Sequence, residues 1–210
     1  QDFVYGAPRE NIVLLMAGGF GKRLQPLTKE LPKPLLTVGD RPILETIVEQ
    51  LIEAGFSRFF MAVHYKADLL RAHFGDGSDW GITIRYLEEE KPLGTAGALS
   101  LLSSEPIKMP VLVMNGDLLT RLDFNQLLDY HDSHDGAATI CVREHEFRIP
   151  YGVVEANGIR VEDIIEKPVQ KLFINAGIYV LDPDIVKRRT GVRASDMPEL
   201  LRETIKTGKQ

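Results

Sequence analysis

Asn11 to Ala17 is a short, continuous apolar run that breaks into Gly18-Gly19-Phe20-Gly21-Lys22-Arg23-Leu24. This junction constrains the fold more than any other stretch. A short run that is apolar at successive positions reads as a strand covered on both faces, and such strands belong to parallel sheets. The following segments repeat the theme. Ile43 to Ala54 has apolar residues at 43, 44, 47, 48, 51 and 52, a helical spacing stopped by Gly55. Phe59 to Val63 reads as a second buried strand, Ala67 to Phe74 as a helix, and Ile82 to Leu87 as a strand. A short helix over Thr95 to Leu102, a strand over Val111 to Met114, a helix over Phe124 to His134 and a strand over Ala138 to Val142 follow. This alternation predicts an α/β fold, a Rossmann-like and mostly parallel sheet flanked by helices. Beyond Tyr151 the spacing predicts short strands near Val153, over Val161 to Ile165 and over Ile174 to Val180, then helices near Pro183 to Lys187 and over Met197 to Lys206.

The glycine break also points to chemistry. Glycines let backbone approach a ligand closely, and successive exposed N–H groups suit an anion. Lys22, Arg23 and Lys33 bring three cations within a dozen residues. Arg offers a planar fork to phosphate oxygens and Lys a point charge. The spacing matches neither the P-loop nor the dinucleotide fingerprint. Ligands of parallel sheets bind beyond the carboxyl ends of strands. The glycine loop and Asn115-Gly116-Asp117 both lie at strand ends, so they are expected to face one crevice.

Composition narrows the classes. The 210 residues carry a net charge of −5, so no overall basic field favours nucleic acid. No apolar stretch approaches the roughly 20 residues of a membrane span. The single cysteine, Cys141, allows no internal disulfide and fits a reducing, cytoplasmic setting. The five histidines form no zinc-ligand pattern and are read as non-catalytic. Residues 1–10 read as a linker or a cloning remnant. Residues 11–210 read as one domain, with a nucleotide half over about 11–142 and an acceptor half over about 143–210.

The string G-G-x-G-x-R-L-x-P-L-T from Gly18 to Thr28, closed by Pro32-Lys33-Pro34, together with the later motifs, resembles the sugar-phosphate nucleotidylyltransferases, or nucleotide-sugar pyrophosphorylases. The resemblance runs from Ile12 to about Leu201. It implies a GT-A-like nucleotidyltransferase fold and transfer of a nucleoside monophosphate from an NTP to a sugar 1-phosphate, giving a nucleotide-sugar and pyrophosphate. Carried residue by residue, it implies that Ala17, Gly18, Gly19, Gly21 and Lys22 hold the nucleotide. Arg23 would stabilise the leaving pyrophosphate, Lys33 would neutralise the α-phosphate, and Asp117 would hold Mg²⁺. Gly152, Glu166, Lys167 and Asn175 would bind the sugar phosphate.

Glu88-Glu89-Glu90-Lys91-Pro92-Leu93-Gly94-Thr95-Ala96-Gly97 bears on the base. In the resembled family this segment contacts the nucleobase, so Glu89, Gly94 and Thr95 are expected there. A carboxylate can accept from both the N1–H and the 2-amino group of guanine. The pattern looks nearest to guanylyl members, which points to GTP. The same reaction with UTP, CTP or dTTP stays open, as does a non-catalytic sensor of nucleotide-sugars. The family normally adds a second metal-binding aspartate in a late D-I-G-like string. None precedes Gln210, so the C-terminal end of the domain is expected to be missing. A homo-oligomer is possible on this reading.

Overall fold

The computed structural model describes residues 6–21, 24–102, 104–189 and 191–208. Its strands are β1 (Arg9–Met16), β2 (Thr37–Val38), β3 (Arg41–Pro42), β4 (Phe56–Val63), β5 (Thr83–Glu88), β6 (Val111–Asn115), β7 (Ala138–Arg148), β8 (Gly152–Asn157), β9 (Arg160–Glu166) and β10 (Val169–Leu181). Its helices are α1 (Ile43–Glu53), α2 (Ala67–Phe74), α3 (Gly94–Gly97), α4 (Phe124–Asp132), α5 (Pro183–Lys187) and α6 (Met197–Lys206).

The main sheet runs β5-β4-β1-β6-β10-β7. β1 pairs in parallel with β4 and β6, β4 pairs in parallel with β5, and β10 joins β6 antiparallel. The expected α/β architecture, a mostly parallel sheet with helices, is therefore the one observed. The continuous apolar reading of β1 has a simple cause. Alternate side chains enter opposite faces, and both faces are covered. Ile12 and Leu14 join Phe60, Ala62, Val111, Val113, Leu99, Met197 and Leu200 in one cluster. Val13 and Leu15, on the other face, are equally buried, as are Ile47, Val48 and Leu51 of α1.

Several boundaries differ from those expected. β1 starts at Arg9 because residues 6–9 run along the end of α1. Arg9 N–H donates to Gly55 O at 2.9 Å, and a Cβ on Gly55 would stand 2.0 Å from Ala7 O. The helix expected over Thr95 to Leu102 divides into α3 and a tighter 3-10 turn over Ala98–Leu102. β7 and β10 extend well past their apolar runs. Asp182-Pro183-Asp184 opens α5, as its composition suggests.

The chain packs as two compact units. The larger takes in the described residues up to Thr139 and from Ile178 onward, and the smaller is Ile140–Gly177. In the smaller unit β8 and β9 form an antiparallel pair, with Gly152 opposite Glu166 and Val154 opposite Ile164.

Candidate active site

At the carboxyl ends of the parallel strands, the larger unit holds a cavity of about 450 Å³. Of the residues singled out from sequence, Ala17, Gly18, Gly19, Gly21, Lys33, Glu89, Gly94, Thr95 and Asp117 all line it. Lys22 and Arg23 lie outside the described residues. Gly152, Glu166, Lys167 and Asn175 belong to the smaller unit.

The glycine loop is held by contacts that exclude larger residues. Ala17 N–H donates to Ala62 O at 2.8 Å, continuing the β1–β4 ladder. A Cβ on Gly18 would lie 3.2 Å from His64 N, so the loop passes tight over the end of β4. Gly21 has φ +60° and its missing Cβ would sit 2.7 Å from Thr28 Cγ2. Thr28 in turn donates its hydroxyl to Gly21 O at 2.9 Å. The threonine of the P-L-T string thus serves to fix the glycine turn.

Lys33 opens a 3-10 turn whose Pro34 and Leu35 are buried, and this anchors the ammonium stem. Its Nζ donates to Asp117 Oδ2. Both side chains are about two-thirds buried, with exposures of 32% and 29%. Asp117 gains its place through Gly116, whose N–H donates to Met16 O at 2.9 Å and whose missing Cβ would stand 3.0 Å from that oxygen. The two strand-end motifs are therefore bonded to each other, and the expectation of a common crevice holds for them.

The base-side segment is organised differently. Of the three successive acids, Glu88 and Glu90 are exposed while Glu89 is buried at 7% exposure. Its main-chain N–H donates to Val63 O at 2.9 Å. Its Oε2 accepts from Leu93 N–H at 3.0 Å. Burial pushes the Glu89 carboxyl above the usual range, with the Leu93 N–H and the neighbouring His64 opposing the rise. His64 Nδ1 sits 2.6 Å from Glu89 O, and its ring meets Phe20 of the glycine loop edge-on with centroids 5.4 Å apart. His64 thus touches both walls of the cavity, a structural part that its sequence context did not announce.

The segment from Leu93 to Gly97 is fastened from about a hundred residues away. Thr95 N–H and Oγ1 reach Asp196 Oδ1 at 3.0 and 3.2 Å, and Met197 N–H donates to Thr95 Oγ1 at 2.8 Å. Ser195 N–H donates to Leu93 O at 2.8 Å, and Ser195 O accepts from Ala96 and Gly97 N–H at 2.9 and 3.0 Å. Gly94, at φ +77°, leaves no room for a Cβ, which would meet Asp196 Oδ1 and Ser195 O at 2.7 Å. No local signal marks Ser195 or Asp196 as partners of this loop.

In the smaller unit, a Cβ on Gly152 would come within 3.1 Å of Glu166 Oε2. Lys167 adopts φ +48°, donates its N–H to Tyr151 O at 3.2 Å and holds its Nζ 3.7 Å from Glu166 Oε1. Asn175 Oδ1 accepts from Gly177 N–H at 2.9 Å.

Among the described residues no cluster of three or more His, Cys, Asp or Glu side chains is arranged to hold a metal. Asp117 on the cavity wall is a single carboxylate, already drawn to a cation. That suits Mg²⁺, which binds through one or two carboxylates together with substrate phosphates. Among the described residues no helix is long and apolar enough to cross a membrane.

The Nucleotidyl transferase family matches residues 12–208. The mannose-1-phosphate guanyltransferase of Emericella nidulans is 36% identical over 202 residues, which cover 90% of this chain and 56% of that protein. The enzyme of the same name from Aspergillus fumigatus is 38% identical over 183 residues, covering 83% and 50%. The chain thus spans about half the length of the curated relatives it matches. The crystal structure of HddC from Yersinia pseudotuberculosis complexed with GMP-PN superposes with a TM-score of 0.66 at 26% identity, covering 89% of this chain and 82% of HddC.

Proposed function

The chain belongs to the nucleotidyl transferase family, and from that premise we propose that it transfers a guanylyl group from GTP to a sugar 1-phosphate, releasing pyrophosphate. One observation carries the reading: a buried carboxyl, Glu89, and the Lys33–Asp117 pair line a single cavity floored by glycines. Glu89 follows β5 and Asp117 follows β6. In the sheet order these strands are separated by three inter-strand spacings, about 14 Å at ~4.8 Å each. That span suits a nucleoside monophosphate laid across the strand ends, base toward Glu89 and phosphate toward Lys33.

An oxygen of the sugar phosphate attacks the α-phosphorus of GTP in line. The new P–O bond forms as the bond to the bridging oxygen of pyrophosphate breaks, so no covalent enzyme intermediate is needed. Two anions must meet, and catalysis is positioning plus charge neutralisation. Lys33 leaves Asp117 to neutralise the α-phosphate. Arg23 steadies the departing pyrophosphate. Asp117 would hold Mg²⁺, which supplies further neutralisation of phosphate charge. Ala17, Gly18, Gly19, Gly21 and Lys22 receive the phosphates, and Gly94 and Thr95 flank the base. Ionised Glu89 accepts from the N1–H and 2-amino group of guanine, a pair of donors that uracil and thymine lack. In the smaller unit Gly152 admits the sugar, Glu166 and Asn175 take its hydroxyls, and Lys167 orients its phosphate. A cytoplasmic setting and a homo-oligomeric assembly belong to the same reading.

The test is pyrophosphate release with Mg²⁺, crossing GTP, UTP, CTP, ATP and dTTP against a panel of sugar 1-phosphates. Mannose 1-phosphate comes first because both curated relatives carry it in their names. Release with GTP alone is the expected result. Release with UTP or dTTP instead would overturn the role of Glu89 but keep the reaction. Nucleotide binding with no release for any pair would favour a sensor of nucleotide-sugars.

A further inference from the structure

A second cavity, of about 170 Å³, is lined in part by the C-terminal end of the base-side segment. It shares no lining residue with the nucleotide cavity: Gly94 and Thr95 line the first, Ala96 and Gly97 the second. Its volume is well above the roughly 10–15 Å³ that one water needs. Three arginines, Arg188, Arg189 and Arg193, line it with no acidic residue. In a chain of net charge −5 this is a local concentration of positive charge. Arg189 is paired with Glu203 at 2.9 Å, whereas Arg188 and Arg193 have no ion pair among the described residues. Ser195, in the same wall, has a buried Oγ with no hydrogen-bond partner among the described residues. A buried hydroxyl left without a partner is uncommon.

We propose that this cavity is an anion site that takes a phosphate group, and that its occupancy is felt by the nucleotide loop. Guanidinium groups match phosphate oxygens with paired N–H donors. The link to the nucleotide cavity is short and runs through main-chain hydrogen bonds. Ser195 carries the unpartnered hydroxyl, and its own main chain bonds Leu93, Ala96 and Gly97. An anion that orders residues 193–195 therefore orders the wall that Gly94 and Thr95 present to the nucleotide. Coupling of this kind is reciprocal: nucleotide binding strengthens phosphate binding by the same factor. The phosphate comes either as the free ion or as the phosphate of a small metabolite.

Phenylglyoxal modification of the arginines, followed residue by residue by mass spectrometry, tests the site without a variant. Inorganic phosphate is expected to slow modification of Arg188 and Arg193 at least threefold while exposed Arg160 reacts unchanged. Protection by mannose 1-phosphate as well would assign the site to phosphorylated metabolites, and protection by inorganic phosphate alone to the free ion. Calorimetric titration of phosphate completes the test. Lys33→Ala, which removes a cation from the nucleotide cavity, should retain the site. The pair Arg188→Gln and Arg193→Gln should weaken it at least tenfold, with partial recovery in the corresponding lysine pair. Equal modification rates with and without either anion, or undiminished phosphate binding in the folded glutamine pair, would overturn the proposal. None of these readouts requires turnover, so the proposed reaction can fail while this site stands, and the reverse.

Discussion

The two compact units hold their functional candidates in opposite ways. In the larger unit Glu89 is 7% exposed, and Gly18, Gly21 and Gly94 of the same cavity have neighbours standing where a side chain would be. In the smaller unit the Glu166 and Lys167 side chains are 71% and 61% exposed on a hairpin of two strands. A residue wedged among main-chain bonds is fixed by the fold, so changing it disturbs architecture and chemistry together. A residue on an exposed strand end can change with little effect on folding. The difference teaches that stability measurements alone sort these candidates by unit, and activity measurements must sort them by role.

The sharpest challenge to that division is Lys33, which lies in the larger unit yet ends in a partly exposed ion pair. Lys33→Ala should lower turnover by ~10²–10³-fold, the range for removing one preorganised charge stabiliser. Its stability should change by less than about 1 kcal/mol, as for an ion pair not fully buried. Pyrophosphate release and a melting curve on one preparation check both; unchanged turnover with a lowered melting point would reverse the assignment. Gly94→Ala should show the contrary pattern. Forcing a side chain into φ +77° against Ser195 and Asp196 should destabilise by about 1–3 kcal/mol, readable in urea.

Lys167→Ala should raise the KM for the sugar phosphate about tenfold, the effect of losing ~1.4 kcal/mol of binding. Its midpoint of unfolding should stay within about 0.5 kcal/mol, as is usual for surface changes. A large stability loss there would erase the contrast between the units. The smallest effect concerns pH. Burial raises the Glu89 carboxyl above its ordinary 4.5, so folding favours its protonated form. The stability this contributes is full below pH 4.5 and is lost as the pH rises through the raised value. Glu89→Gln should therefore gain stability relative to the parent as the pH rises through that window. In the parent, GTP affinity should weaken as the pH falls, starting above pH 4.5. GTP affinity flat down to pH 4.5 would remove ionised Glu89 from base recognition.

Much of this was readable in the chain because it is encoded locally. β1, β4 and β6 each contain a run of consecutive apolar residues, Ile12 to Met16, Phe59 to Val63 and Val111 to Met114, and α1 carries the helical spacing of its six buried residues. The glycine loop and Asn115-Gly116-Asp117 declared themselves by composition. The choice among Glu88, Glu89 and Glu90 was harder. In β5 the even positions turn inward, with Ile84 buried and Arg85 exposed. Extending that alternation would have buried Glu88 or Glu90. The ladder ends at Glu88, the chain turns, and Glu89 goes in instead. The extensions of β7 and β10 carry no such local signal, because their added residues are largely exposed and break the apolar runs. Ser195 and Asp196 were invisible for a different reason: their partners lie about a hundred residues away and are reached mostly through main-chain atoms.

That last attachment orders events on the ribosome. The glycine loop, Lys33, Glu89 and Asp117 are all synthesised by residue 117, and the parallel strands that carry them are complete. Yet Leu93 O finds its donor, and the Ala96 and Gly97 N–H groups their acceptor, on Ser195. A nascent chain therefore carries an unfinished nucleotide wall through the whole translation of the smaller unit. It closes when residues 195–197 leave the exit tunnel.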